Sequence, residues 1–148
     1  MTADREAEEA TMEFRLFTVE QANRMLPELV WIIREVNRRR QDLIYLLVEL
    51  ESLTGQAAQR NAADLALRVQ RKRTEVAQRR SALASLVESV GEMGVIVRDF
   101  ERGLVDFPGV VNGQPGYLCW TFEEEEVRFW HGPEAGFAGR QPLSSTPS

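Results

Sequence analysis

The sequence predicts an α+β protein: a long antiparallel α-helical hairpin with a coiled-coil-like pattern, followed by a small antiparallel β module. Three observations predict it. Apolar residues recur at alternating spacings of three and four along two stretches of the chain. A Thr54-Gly55 pair separates those stretches. After Gly94 the apolar period falls from that of a helix to that of a strand.

Phe14, Leu16 and Phe17 lead into the first helix. Thr18 with Gln21 three residues on forms a capping box, and Phe17 is placed to staple onto the first turns. Pro27 removes one helical hydrogen bond, so a kink or a fresh start is expected there. The first seam runs Leu26, Leu29, Ile33, Val36, Arg40, Leu43, Leu47 and Leu50, and Gly55 ends it. The second helix is capped at Asn61. Its seam runs Leu65, Val69, Lys72, Val76, Arg79, Leu83, Leu86, Val90 and Met93, with an end near Gly91 or Gly94. Charges at Arg40, Lys72 and Arg79 need carboxylate partners such as Glu35, Asp42 or Glu75. Trp31, Ile32, Ile44, Tyr45 and Val48 lie off the seam. They suggest that the hairpin packs on a second copy; the alternative is that they cover the β module.

The β module reads as a strand at Val95–Arg98 and a short extended piece at Leu104–Phe107 closed by Pro108-Gly109. Asn112-Gly113 is a hairpin turn, and Tyr117–Phe122 is the best strand. Glu123–Glu126 reads as a solvated turn, Val127–His131 as the last strand, and the glycines from Gly132 to Gly139 as an ordered loop. The resulting division is a disordered acidic tail at 1–13, the helical hairpin at 14–93, the β module with its glycine-rich C-terminal loop at 94–143, and a loose tail at 144–148.

The net charge of -5 disfavours binding to a phosphate backbone. The charge is uneven: from Arg34 to Arg80 eleven basic residues face six acidic ones. Those acids are interspersed and no aromatics are interleaved, so the basic arm reads as a solvated face and nucleic acid is disfavoured as a partner. A single cysteine, Cys119, points to a reducing compartment. With no signal peptide and no apolar run of membrane-spanning length, a cytoplasmic protein with no membrane association is expected.

Residues able to carry chemistry cluster between Asp99 and Gln141. His131 is the only histidine; with Asp106 and Glu134 it makes the candidate metal set, since imidazole and carboxylates together hold divalent ions. Asp99, Arg102, Asp106, Trp120, Arg140 and Gln141 are the candidate ligand-binding residues, expected to converge beside Trp120. Arg102 and Arg140 have the bidentate geometry that clamps anions. The favoured alternative pairs them with Asp99, Asp106 or Glu134 to tie down the loop. Packing is also the favoured reading of His131, and Cys119 reads as a core residue with no basic helper to make it a nucleophile. No catalytic set is identified. A divalent metal is the cofactor these residues allow, and it is not favoured.

Several segments carry a resemblance. Phe17-Thr18-Val19-Glu20-Gln21-Ala22-Asn23 with Leu26-Pro27 is one, and Arg102-Gly103-Leu104-Val105-Asp106-Phe107-Pro108 is another. Tyr117-Leu118-Cys119-Trp120 and the run from Trp130-His131 through Gly136-Phe137-Ala138-Gly139-Arg140-Gln141-Pro142 complete it. Together they resemble the bacterial domain-of-unknown-function family 2203, from about Phe14 to Leu143. The resemblance implies a bacterial cytoplasmic protein and supplies no catalytic residue. The favoured functional expectation is a non-enzymatic interaction or scaffold protein, associating through its helices as a homodimer or with a protein partner. The alternative is a small-ligand or divalent-metal-binding protein, hydrolytic at most, with its site around His131.

Overall fold

A computed structural model of the protein describes residues 15–60 and 63–144. Two long helices, α1 (Val19–Arg60) and α2 (Ala63–Glu92), precede five strands. The strands are β1 (Ile96–Asp99), β2 (Leu104–Val111), β3 (Gln114–Trp120), β4 (Phe129–His131) and β5 (Gln141–Pro142). They form one antiparallel sheet in sequence order. The predicted α+β architecture is the observed one. The chain parts into two compact units: one runs up to Ile33 and resumes from Ser89, and the other is Arg34–Glu88.

Helix α1 starts as the capping box requires. The Thr18 amide donates to Gln21 Oε1 at 3.0 Å, and the Gln21 amide donates to Thr18 Oγ1 at 3.1 Å. The Phe17 ring meets Phe107 of β2 edge-on at 5.4 Å, and its amide donates to the Pro108 carbonyl. Neither a fresh helix start at Pro27 nor a helix end at Gly55 occurs. α1 passes through Pro27 unbroken, where buried Leu26 and Leu29 hold that turn against the core. It also passes through Thr54-Gly55 to Arg60. Glycine inside a helix costs only about 1 kcal/mol relative to alanine, and the Thr54 hydroxyl is satisfied by the Leu50 carbonyl within the helix. The proposed cap Asn61 and the tail at 1–13 lie outside the described residues.

In the Arg34–Glu88 unit the predicted seam is buried at Val36, Leu43, Val69 and Val76. Lys72 pairs with Glu49 of the other arm at 2.8 Å, a partner not among those expected, and with Glu75 at 3.9 Å. Its bond to Glu49 raises the Lys72 pKa. Arg79 takes the expected Glu75 at 3.6 Å. Ile44, Tyr45 and Val48 are exposed.

In the other unit the core joins Phe17, Leu26, Leu29 and Ile33 to Val105, Phe107, Leu118 and Trp120. The Asn112-Gly113 turn has both residues at positive φ, 53° and 78°, and sets the register of β2 on β3 from Val111↔Gln114 down to Val105↔Trp120. β2 does not close at Pro108-Gly109 as expected; it runs on to Val111. The pairing with β1 reaches only Asp106, so Pro108 has no partner strand on that side and its missing N–H leaves no gap in the ladder. The last long-range strand is shorter than expected, because the Val127 amide is drawn to Asn23 Oδ1 of α1 at 2.7 Å. Gln141-Pro142, beyond the strand expected to be the last, pairs with Phe129 and Trp130 as β5.

Candidate functional site

Strand alternation gives the sheet two different faces. Val105, Phe107, Leu118 and Trp120 project from one, into the apolar core. Asp106 and Cys119, which sit directly opposite each other, project from the other. On β4, His131 lies beside Tyr117 in the same ladder, so it shares the face of Asp106 and Cys119. Three adjacent strands thus each bring one polar side chain to one place, and all three are buried, at 2%, 0% and 4% exposure for Asp106, Cys119 and His131.

The geometry around His131 is specific. Its Nδ1 lies 2.8 Å from the Gly132 carbonyl oxygen, which can only accept, so Nδ1 carries a hydrogen. Its Nε2 lies 3.0 Å from each oxygen of the Asp106 carboxylate. Both ring nitrogens therefore face acceptors. At 3.0 Å the Nε2–Asp106 contacts are hydrogen bonds, so one proton lies between ring and carboxyl group, and a cation replacing it would take both as ligands. Arg98 Nε donates to Asp106 Oδ2 at 2.9 Å, which raises the arginine pKa, and its guanidinium lies 5.4 Å from the Tyr117 ring. The donor atoms of Asp106, Cys119 and His131 all lie within 4.8 Å of one another. Burial first, and the Asp106 charge second, push the Cys119 thiol up to about 12, so without a bound cation it is not a nucleophile.

These groups form the floor of a cavity of about 390 Å³, lined also by Arg98, Leu104 and the loop Pro133–Phe137. The loop is held by its own contacts. Arg140 lies 3.9 Å from the Phe129 ring and 4.6 Å from Phe137, and Arg102 lies 4.8 Å from the Phe137 ring. Arg140 is paired with Glu124. Glu124 is not part of a solvated turn as expected. It accepts from the Thr121 amide and hydroxyl, and its carbonyl accepts from Trp120 Nε1 at 2.8 Å.

The sequence-derived candidates separate accordingly. Asp106 and His131 come together; Glu134 lines the same cavity but stands outside the close group and is exposed. Trp120 lies on the opposite, apolar face of the sheet, so the site does not form beside it. Arg140 and Arg102 both lie over the Phe137 ring of the loop; the carboxylate that takes Arg140 is Glu124, outside the three expected, and the Arg102 guanidinium meets an aromatic ring where a carboxylate was expected. Asp99 caps the turn after β1 by accepting from the Arg102 amide at 3.2 Å. Gln141 pairs with Trp130 at the far edge of the sheet and lines a different hollow. Sequence reasoning missed Arg98, Cys119 and Glu124 as parts of the arrangement. A signal for Cys119 existed: counting back equally on both sides of the Asn112-Gly113 turn places Asp106 opposite Cys119. Ending β2 at Pro108 concealed it.

Among the described residues no helix is long and apolar enough to cross a membrane. No curated protein and no solved structure matches the chain. The model of the family described as "Uncharacterized conserved protein (DUF2203)" matches residues 15–143, nearly the full chain, and the chain belongs to that family.

Proposed function

We propose that the protein binds a divalent metal ion between His131 and Asp106, on the floor of the β-sheet cavity. The observation that carries this reading is the acceptor-only surroundings of His131. Its Nδ1 is committed to the Gly132 carbonyl, and its Nε2 is aimed evenly at both oxygens of a buried carboxylate. Metal-bound histidines have this pattern, with one nitrogen fixed by a backbone carbonyl and the other on the ion. Arg98 orients the carboxylate through its Nε bond to Oδ2, as an outer partner of a metal ligand does. The free thiol of Cys119 fits a reducing cytoplasm as the place of action.

The test is calorimetric titration of Zn²⁺ into chelator-treated protein, purified without an affinity tag. Near-stoichiometric binding is expected, with affinity reduced by more than about a hundredfold in His131→Ala that retains its far-ultraviolet spectrum. Absence of binding to the unaltered protein would end the reading and leave a buried imidazolium–carboxylate pair.

The hairpin supports a second, separate reading: self-association into a homodimer through α1. Ile44, Tyr45 and Val48 are 45%, 62% and 59% exposed within little more than one turn. Apolar side chains grouped this way mark interaction sites when they form a patch. Sedimentation equilibrium should give a dimer that Tyr45→Lys with Val48→Lys converts to monomer. A monomer at every concentration of the unaltered protein would exclude it.

A further inference from the structure

Resting on the metal-binding reading above, we infer that Cys119 is the third protein ligand of the ion, as a thiolate, and that the fourth coordination position opens into the cavity and takes a small carboxylate ligand. The sheet register supplies the first half. Cys119 is the direct cross-strand neighbour of Asp106, and His131 reaches the same spot from the next strand. The three donors come from the three middle strands of the sheet and need no loop to gather them. Around a tetrahedral zinc with bonds of about 2.0–2.3 Å, ligand atoms stand roughly 3.3–3.7 Å apart. The Asp106–His131 pair, at 3.0 Å, has to open by a few tenths of an ångström, and the widest spacing in the group, no more than 4.8 Å, has to close. Side-chain rotation of about an ångström therefore closes the shell. A thiolate, an imidazole and a carboxylate together suit a borderline-soft ion, which favours Zn²⁺ over Mg²⁺ or Ca²⁺.

The second half follows from counting ligands. A closed structural zinc site has four protein donors, and the close group among the described residues has three. The group also forms the floor of a cavity of about 390 Å³, at the small end for ligand sites. The open position therefore faces space large enough for a small molecule. Two anionic ligands balance the charge of the dication, and the half-exposed guanidinium of Arg98 on the cavity wall leaves a positive excess. Glu134 is also exposed on that wall, but it stands outside the close group, whereas Arg98 is fixed beside the donors by its bond to Asp106. A small carboxylate, with one oxygen on the metal and its charge toward Arg98, fits that field.

The chain has one cysteine, so a thiolate signal from a bound metal can only be that of Cys119. The experiment is to load chelator-treated full-length protein with Co²⁺, record its absorption spectrum, and then titrate with acetate. The expected result is an intense near-ultraviolet thiolate-to-cobalt band, visible bands of tetrahedral intensity, and a saturable shift of the visible bands by acetate. Cys119→Ser, checked for folding by circular dichroism, should bind cobalt more weakly and lose the thiolate band. Cobalt binding without that band in the unaltered protein overturns the assignment of Cys119 while metal binding itself stands. A thiolate band that acetate leaves unchanged overturns the open position. If no cobalt binds at all, the metal reading and this inference fall together.

Discussion

The ion pairs of the helical hairpin and those of the β-sheet unit use the same side-chain types under opposite conditions. On α1, Glu35, its carboxylate 16% exposed, bonds Arg38 and Arg39, three and four residues along the same helix face, with Arg38 63% exposed. In the sheet unit, Asp106 bonds His131 and Arg98 from two other strands, with the carboxylate 2% exposed. The hairpin pairs are what helical spacing makes inexpensive, and water screens them. The Asp106 group requires charges to be moved from water into the interior, where desolvation opposes the Coulomb attraction. Packing alone would fill that place more stably with apolar side chains, as the other face of the same sheet does with Val105, Phe107, Leu118 and Trp120. A buried charge cluster at the wall of a cavity is therefore the feature that points to function, and the more numerous surface pairs are not.

The sharpest way to break this contrast is Asp106→Ala in metal-free protein. Removing one member leaves His131 without an acceptor on Nε2 and Arg98 without its partner. The expected loss is about 3–5 kcal/mol of unfolding free energy, a large share of what a domain of this size has. Urea denaturation measures it. A loss under about 1 kcal/mol would mean that water reaches the cluster and that its charges are no more costly than those on the hairpin.

The difference between the regions also explains what was legible in the sequence. The hairpin was read from local spacing: the seam residues Val36, Leu43, Val69 and Val76 are buried as their period required, and the Thr18–Gln21 box formed as written. Local signals misled at two points inside α1: at Pro27 no new helix starts, the buried Leu26 and Leu29 holding that turn, and at Gly55 the helix runs on because a helical glycine costs little. The cluster depends instead on residues 13 and 25 positions from Asp106, brought together by strand register. Asp106 and His131 were picked out by chemistry alone. Cys119 and Arg98 were not, because nothing in their immediate neighbourhood marks them, and the register that places them was cut short at Pro108. Arg140 was legible as a tie but not its partner, since an acidic run such as Glu123–Glu126 gives no sign of which carboxylate turns inward.

That carboxylate, Glu124, stands between the two extremes. Its carboxylate is 17% exposed, about as Glu35's is at 16%, but its partner Arg140 is 11% exposed against 63% for Arg38, and it also accepts from the Thr121 amide and hydroxyl. Glu124→Ala should cost about 1–3 kcal/mol, less than Asp106→Ala, because water can replace part of what is lost. It should also loosen the Pro133–Phe137 roof of the cavity, seen as faster proteolysis of that loop in the native state. An unchanged cleavage rate would show that Arg140 holds the loop through Phe129 and Phe137 without its carboxylate.

The smallest effect belongs to the hairpin. The bonds from Arg38 first, and then from Arg39, lower the Glu35 pKa, so its carboxylate is favoured in the folded protein. A depressed carboxylate contributes above its unfolded pKa of about 4.3, and that contribution is lost as the pH falls through the lower folded value. Yet Arg38 is largely in water, and long side chains lose rotamer freedom when they pair. Glu35→Ala should therefore leave the urea midpoint at neutral pH unchanged within error. Added salt should erase what difference there is, whereas it should not rescue Asp106→Ala, whose charges are shielded from ions. If Glu35→Ala proved as damaging as Asp106→Ala, exposure would not be what separates the two regions, and the buried cluster would lose its claim to be a site on that ground.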